Sequence, residues 1–488
     1  GLAHSSAVAG STAGIALGLG GLFAAQPLTV SIPSNIPYLT FALRLDPLAA
    51  FFVLTISLVG LAASIYAYGY VREFTGHVSV GLLGSLLNGF LLSMTLVVMA
   101  DNGFFFLIVW EVMSLISYVL VVTEHERPGV REAGLFYLIM THAGTAFIIL
   151  TFLLFAQETG SFSFEAFRHP DQRLPEGLRS IAFFTALIGF GAKAGIVPLH
   201  VWLPYAHPAA PSHISALMSG VMIKTAIYGL IRVYFDFFEG QFLWWWGFAV
   251  LSVGAFSALL GVMYALMEHD LKSLLAFSSV ENVGIILLGI GAGMIFHTYG
   301  MQELAALGLL AGLYHTINHA AFKALLFLGA GSVMHAMDDE TDMRRYGGLR
   351  TLLPVTYVTF GLGYLAIIGV PPFAGFFSKD AIIESAFAAH GGAARFAFVL
   401  LVIAALFTSF YSWRLIFLTF YGKPRWSGSE HIQHAAHGHD HGHAHDDHHH
   451  AHDDGTAGYH PHESPATMLV PLALLAIGAI FAGWYFHE

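Results

Sequence analysis

The chain has no cysteine among its 488 residues. Disulfide bonds and metal clusters held by thiolates are therefore excluded. Charged residues make up only 10% of the chain, whereas a soluble domain carries about 25%. With 20 lysines and arginines in total, the chain also lacks a basic patch that could bind a nucleic acid. The hydrophobic share of 56% then predicts an integral membrane protein.

Long apolar runs predict about thirteen membrane helices, because a spanning helix needs about 20 mostly apolar residues. The predicted fold class is all-α, a polytopic membrane protein in which most loops are too short to hold a separate globular domain. The candidate helices lie near residues 6–25, 47–71, 78–99, 103–122, 134–156, 180–206, 212–235, 243–267, 273–296, 302–334, 352–390, 394–421 and 467–486.

Ionisable side chains interrupt these apolar runs. A charge at the centre of a bilayer costs about 2.5–3.5 kcal/mol, so such residues usually mark ion paths or proton relays. One of them alone could simply lock helix packing, but a set on six different helices predicts a chain of proton-binding stations. The main candidates are Lys193, Lys224, Lys323, Lys379, Glu111 and Glu281.

Histidines accompany the lysines and titrate near neutral pH. His315 and His319 precede Lys323 by eight and four residues, so the three side chains share one helix face. His200 follows Lys193 in a proline-containing stretch. We therefore predict His200, His315 and His319 as supporting members of the relay.

Prolines interrupt two of the predicted helices beside a lysine. Pro198 follows Lys193, and Pro371 and Pro372 precede Lys379. A broken helix is tolerated at membrane depth where it faces a polar cavity. Because a glutamate on the second helix and a lysine on a broken fourth helix recur in both halves, the sequence predicts two inverted repeats of five helices. The expected divisions are N-terminal helices in 1–76, the first repeat in 77–236, the second repeat in 237–421, a histidine-rich loop in 422–466 and a C-terminal helix in 467–488.

The histidine-rich loop holds 13 histidines between residues 427 and 466. Alternating histidine and aspartate can bind Ni²⁺ or Zn²⁺, and the candidate ligands are His439, His441, His443 and His445. The sequence favours a simpler interpretation, a solvated low-complexity loop whose metal affinity is incidental. The loops on the same side of the membrane as the histidine-rich loop hold nine lysines and arginines, Lys272 among them, and the loops on the other side hold six. This excess predicts that the histidine-rich loop is cytoplasmic.

Several segments resemble a known family over about residues 35–421. They are similar to the antiporter-like subunits of respiratory complex I and of Mrp-type sodium/proton antiporters. Within that family the resemblance is nearest to the hydrogenase-4 component B and formate hydrogenlyase subunit 3 branch. The family segments are FLIVWEVMSLISYVLV, GAKAGIVPLHVWLPYAHP, DLKSLLAFSSVENVG, HAAFKALLFLGAGSV and PPFAGFFSKDAI, and the branch markers are PSHISALMSGVMIKTAIYGLIR, SSVENVG and DMRRYGGL.

The resemblance implies a role for each buried charge. Glu111 would pair with Lys193, and Lys224 would be the next station toward the middle of the membrane. Lys323 would be the central lysine of the second half, and Lys379 the terminal station on the second broken helix.

Two departures accompany the resemblance. Ser219 stands where some relatives have a histidine, which leaves the exact route open. The family usually has two helices before the segment FALRLDPLAAFF, and the sequence predicts one, so we expect a trimmed start.

The implied function is proton translocation in the membrane arm of a hydrogenase-4, formate hydrogenlyase or complex I-like oxidoreductase. The chain would carry no cofactor, and partner subunits in a peripheral hydrogenase-like arm would carry [NiFe] and iron–sulfur clusters. The expected location is the inner, cytoplasmic membrane. Two alternatives stay open: a subunit of an Mrp-type Na⁺/H⁺ antiporter, and the proton-channel subunit of an inorganic-carbon uptake complex. The ion, its direction and the stoichiometry are not fixed by the sequence.

Overall fold

The computed structural model describes residues 1–72, 74–76, 78–168, 174–388, 392–438 and 455–485. A two-stranded hairpin, β1 (Leu28–Pro33) and β2 (Thr40–Leu45), accompanies the helices. The helices are α1 (Leu2–Leu22), α2 (Pro47–Tyr70), α3 (Val80–Met99), α4 (Gly103–Val121), α5 (Val130–Thr159), α6 (Phe164–Phe167), α7 (Glu176–Ala194), α8 (Leu203–Ala209), α9 (Ser212–Leu217), α10 (Ile223–Ile231), α11 (Trp244–Met267), α12 (Leu271–Thr298), α13 (Gln302–Ala336), α14 (Pro354–Ile368), α15 (Ala374–Ala388), α16 (Gly392–Phe420), α17 (Glu430–Gly438) and α18 (Ala466–Tyr485).

The predicted all-α membrane fold is confirmed. Ten helical spans in the described part of the chain are long and apolar enough to cross a membrane. The other predicted segments coincide with shorter or interrupted helices, namely α7 with α8, α14 with α15, and α18. One span combines α9 and α10 with two π-helical turns, at Met218–Met222 and Arg232–Phe237.

The β1–β2 hairpin has no counterpart among the predicted elements. Its strands pair in antiparallel fashion, with Leu28 opposite Leu45, and every residue of β1 is exposed. The predicted elements rest on apolar runs of about 20 residues, and two six-residue strands between α1 and α2 do not form such a run.

Both predicted helix breaks are present. α7 ends at Gly195 (φ +79°) and α14 ends at Gly369 (φ +85°), a left-handed conformation that glycine adopts without strain. Each break leaves backbone carbonyl groups without a helical partner, and polar side chains donate hydrogen bonds to such groups. Trp202 Nε1 donates to the Ala192 carbonyl at 2.8 Å after the first break.

α12 is enclosed by other helices along its length, contacting α8, α11, α13, α15 and α16. Glycines allow the closest of these contacts. A Cβ atom added to Gly284 of α12 would come within 2.4 Å of the Gly254 carbonyl oxygen of α11. The two backbones therefore touch directly, as small residues permit between membrane helices.

An ion-pair network joins four segments at the end of the bundle opposite the 422–438 loop. Arg232 donates to both carboxylate oxygens of Asp46, at 2.7 and 2.9 Å, and to Asp236 at 2.9 Å. Arg168 donates to Asp236 at 2.8 Å and to Asp101 at 3.1 Å. The network connects the starts of α2 and α4, the end of α6 and the second π-helical turn, so it fixes this end of the first half.

Replacing Arg232 with methionine should lower the free energy of unfolding by about 3–5 kcal/mol, because Asp46 would remain buried without its cation. The midpoint of thermal unfolding in detergent measures the loss. Arg344→Met is the matched control, because Arg344 pairs with Asp342 at the protein surface. Equal shifts for the two variants would contradict a structural role for the network.

Candidate functional site

Five of the six lysines are buried, whereas Lys423 is exposed. Four of the five were predicted as stations, and the fifth is Lys272. Lys272 was instead counted among the loop lysines and arginines. In the structure Lys272 lies in the first turn of α12, where the α8–α9 connection covers it.

Lys193 lies at the end of α7, just before the first helix break. Its ammonium group donates to Ser114 Oγ of α4 and to the Tyr137 hydroxyl of α5, both at 2.9 Å. The same nitrogen lies 5.1 Å from the centre of the Tyr137 ring and 5.9 Å from that of Trp110. Three helices of the first half thus converge on one amine, which is held by neutral groups.

Glu111 does not pair with Lys193 as the sequence predicted. Its Oε2 atom lies 2.9 Å from His142 Nε2 of α5, and its Oε1 atom has no hydrogen-bond partner in the structure. The reason is the helical position: Trp110 and Ser114 point toward Lys193, whereas Glu111 lies at the side of α4 with 29% of its side chain exposed. His142 is a candidate that the relay prediction omitted.

Lys224 is linked to α12 through Ser219. The Lys224 ammonium group donates to the Ser219 carbonyl oxygen, and Ser219 Oγ lies 2.7 Å from Ser279 Oγ of α12. Ser219 belongs to the first π-helical turn, and such turns occur often at functional sites. Ser219, at the position where some relatives carry a histidine, therefore links the two halves through its hydroxyl group.

Lys323 lies in α13 and donates to two groups of α12, the Leu275 carbonyl oxygen at 2.8 Å and Ser278 Oγ. His319, one turn earlier in α13, is fully buried, and neither of its ring nitrogens has a hydrogen-bond partner. The Lys323 ammonium group thus donates to a carbonyl and a hydroxyl of α12, just as the Lys193 ammonium group donates to two hydroxyls.

His315 continues this face of α13 toward the second broken helix. Its Nδ1 atom lies 2.9 Å from Ser378 Oγ of α15, and its Nε2 atom lies 3.0 Å from Asn282 Oδ1 of α12. Its ring is 6.2 Å from the ring of His319. The predicted sharing of one helix face by the two histidines is thus present in the structure.

Lys379 forms an ion pair with Glu281 at 3.7 Å. It also donates to the Ile367 carbonyl oxygen at 2.6 Å, a group freed by the second helix break. Glu281 accepts further hydrogen bonds from Thr408 at 2.5 Å and from Tyr411 at 2.8 Å, both in α16. Thr408 and Tyr411 were not among the predicted residues, although polar residues three apart in an apolar helix could have indicated them.

His200 lies in the first helix break and is nearly buried. Its ring contacts Tyr264 and Phe277, with centroids 6.1 and 6.3 Å apart. Within the described ranges the structure holds no group of three or more histidines, aspartates or glutamates that could bind a metal ion. The candidate ligands His439, His441, His443 and His445 lie outside the described residues.

The arrangement has one organising element, α12. Its residues 275–282 provide partner groups for a lysine and a histidine of α13, a lysine of α15 and a serine of the first π-helical turn. In chemical terms it is a row of hydrogen-bonding and charged groups inside an apolar bundle. The α12 groups are the Leu275 carbonyl, Ser278, Ser279, Glu281 and Asn282.

Residues 100–408 match the family described as "NADH:quinone oxidoreductase/Mrp antiporter, TM". The chain is 40% identical over 440 residues to hydrogenase-4 component B of Escherichia coli, covering 88% of this chain and 65% of that protein. It is 35% identical over 468 residues to NADH-quinone oxidoreductase subunit L of Mycobacterium tuberculosis, covering 94% and 65%. Formate hydrogenlyase subunit 3 of E. coli is 33% identical over 387 residues, covering 78% and 61%. The chain thus spans less than two thirds of the length of these relatives.

Two solved structures are similar in fold. A chain of the membrane-bound sulfane sulfur reductase, an archaeal respiratory membrane complex, superposes with a TM-score of 0.80 at 23% identity, covering 98% of this chain and 71% of its own. A chain of the Mrp complex from Dietzia sp. superposes with a TM-score of 0.77 at 25% identity, covering 99% and 50%. The family match over more than half of the sequence, together with this fold, shows that the chain belongs to the transmembrane subunits of the NADH:quinone oxidoreductase/Mrp antiporter family.

Proposed function

We propose that this chain carries protons across the cytoplasmic membrane as the pump subunit of a hydrogenase-4-type or complex I-like oxidoreductase. The observation that carries the proposal is that four of the five buried lysines, Lys193, Lys224, Lys272 and Lys323, donate to neutral hydroxyl and carbonyl groups. Burying a charge without a counter-charge is costly unless the group can lose that charge. An amine can do so by releasing its proton, which makes each lysine a station that can be charged or neutral.

Protons suit this path better than metal cations. A metal ion would have to pass close to several ammonium groups, and like charges repel strongly in a medium of low dielectric constant. A proton instead becomes part of the station it reaches. The hydroxyl pair of Ser219 and Ser279 can accept and donate in turn, so it offers a link between the Lys224 and Lys323 regions.

Ordered water would complete the path. Buried polar atoms in proteins nearly always have a hydrogen-bond partner, often a water molecule. Both ring nitrogens of His207, His213 and His319 are buried without a protein partner. These positions, close to the lysines in the fold, are where bridging water supports proton transfer between stations.

The two halves differ in how glutamate and lysine are paired, which suggests how the pump is driven. In the second half Glu281 lies against Lys379, whereas in the first half Glu111 lies against His142. The charge state of a buried lysine depends on whether a carboxylate is near. A change that moves either glutamate toward or away from its lysine would therefore load or unload a proton.

The driving reaction belongs to partner subunits. Relatives named after hydrogenase-4, formate hydrogenlyase and NADH-quinone oxidoreductase support an oxidoreductase context. We propose that the partners include other membrane subunits and a peripheral arm with [NiFe] and iron–sulfur clusters. This chain would take no part in electron transfer and would respond to it through its buried charges.

Lys323→Met and Lys193→Met should each reduce proton pumping at least tenfold, because methionine fills similar space and cannot bind a proton. The measurement is acidification or alkalinisation of the lumen of liposomes that contain the intact complex, per electron transferred. Lys423→Met is the matched control, because Lys423 is exposed. A full gradient at the normal electron-transfer rate in both core variants would refute the relay.

Purification of the chain from its native membrane in mild detergent should bring a [NiFe]-type large subunit and iron–sulfur proteins with it. Mass spectrometry of the purified assembly identifies them. Recovery with only small membrane subunits, or with a soluble zinc protein, would contradict the oxidoreductase assignment and favour an antiporter or a carbon-uptake complex.

Sodium/proton exchange is the second candidate, favoured by the fold similarity to the Mrp complex. In that case an imposed Na⁺ gradient should change the lumenal pH of liposomes holding the intact complex, without any electron donor. The proton-pump proposal predicts no such change when sodium replaces choline. A sodium-driven pH change abolished by Lys323→Met would establish the antiporter function instead.

A further inference from the structure

A polar cavity of about 340 Å³ opens at the end of the bundle that holds the 422–438 loop. It lies between the end of α2, the α4–α5 turn, the α8–α9 connection and the end of α13. Three acidic and two basic residues line it, and Arg127 pairs with Glu124 at 2.8 Å. The ionisable residues around it are Glu124, His125, Glu126, Arg127, Lys272 and Asp339.

Lys272 is the innermost charged residue of this cavity. Its side chain is 1% exposed, and its ammonium group donates to the Ala210 carbonyl oxygen at 2.5 Å. Ala210 lies in the connection between α8 and α9, beside Pro211, where the helical hydrogen-bond pattern is interrupted. No carboxylate of the described residues lies within 4 Å of the Lys272 ammonium, so Lys272 resembles Lys193 and Lys323 in having neutral partners.

His207 lies beyond Lys272, toward the relay. It is fully buried in α8, and its ring stacks on Phe327 of α13 with centroids 4.8 Å apart. Neither ring nitrogen has a hydrogen-bond partner in the structure. The Lys323 ammonium group lies 5.9 Å from the centre of the same Phe327 ring, and the carbonyl that Lys272 binds belongs to Ala210, three residues after His207. His207 therefore lies close to the contacts of both the cavity lysine and a predicted station.

We infer that the cavity is the proton entrance of the relay, with Lys272 as its first station and His207 as its second. The inference rests on the proposed function. A hydronium ion in the cavity gives its proton to the neutral amine of Lys272 and leaves as water. Lys272 then passes a proton, through water, to an unoccupied ring nitrogen of His207, and His207 passes its proton to the neutral amine of Lys224 or Lys323.

The placement of the charges fits this role. Glu124, Glu126 and Asp339 at the rim raise the local concentration of cations. The buried Lys272 then repels a metal cation, whereas a proton can bind to its amine. Lys272 also begins the polar face of α12 that continues at Leu275 and Ser278, so the entrance and the relay share one helix.

The absence of cysteine from these 488 residues allows a direct test. Lys272→Cys in the intact complex should lower proton pumping at least tenfold. Treatment with 2-aminoethyl methanethiosulfonate forms a disulfide to the new thiol and releases methanesulfinate, which restores a primary amine at this position. Pumping should recover, because that amine can bind and release a proton.

Two reagents and two variants make the test specific. The trimethylammonium analogue adds the same positive charge but cannot exchange a proton, so it should not restore pumping. Lys272→Arg keeps the charge and the carbonyl contact, yet arginine does not release its proton in proteins, so pumping should stay low in a normally assembled complex. Leu274→Cys places a thiol on the other side of α12, away from the cavity, and should not react. The unmodified complex treated with each reagent corrects for cysteines in partner subunits.

The possible outcomes distinguish a failure of the proposed entrance from a failure of the proposed function. Normal pumping by Lys272→Cys, with loss of pumping in Lys323→Met, would overturn the entrance and leave the proposed function intact. Normal pumping by both variants would overturn the function as well. Equal recovery with the amine and the trimethylammonium reagent would assign Lys272 a fixed-charge role and so refute the inference. If Lys272→Cys fails to assemble, His207→Gln decides, because full pumping in that variant excludes His207 as the second station.

Discussion

A positive charge inside an apolar helix bundle needs oxygen atoms around it, and this requirement shapes the whole molecule. Most polar groups of a membrane helix are used within that helix, so few remain for a neighbour's lysine. α12, the α8–α9 connection and the second helix break supply them. α12 offers a hydroxyl and a carbonyl to Lys323, while the connection and the break free carbonyls for Lys272 and Lys379.

The same requirement explains why the two halves look alike in outline and differ in detail. Each half has a broken helix next to a lysine, but the acceptors of the two lysines differ. In the first half the acceptors are Ser114 and Tyr137, and the glutamate turns to the side of the bundle. In the second half the glutamate faces inward and meets its lysine. The two ends of the proposed relay therefore differ in the groups that surround their lysines.

Much of this could be predicted from the sequence, because hydrophobic length and misplaced charge are local signals. A run of apolar residues identifies a membrane helix, and Lys193 or Lys323 within such a run identifies a buried amine. The partner groups could not be predicted so readily. Whether Glu111 faces Lys193 or His142 depends on the rotation of α4 against its neighbours, which a sequence pattern specifies only to within a fraction of a turn.

Lys272 shows a different limit of sequence interpretation. A lysine at the first turn of a helix normally reaches the membrane surface, and the sequence analysis treated it so. The structure buries it because the α8–α9 connection folds over the start of α12. Tertiary coverage of a helix end has no local signature, so such a residue can be found only when the neighbouring connection is placed.

The direct backbone contact between Gly254 and Gly284 limits how the protein can move. Side chains between helices can change rotamer and let one helix slide, but two touching backbones have no such slack. α12, which provides the acceptors for the second half and contacts Ser219 of the first, is therefore packed against α11 at this point without intervening side chains. In the proposed relay, rocking one half against the other would have to separate these contacts. We therefore expect the movements of the proposed cycle to be those of side chains, water and the short broken helices.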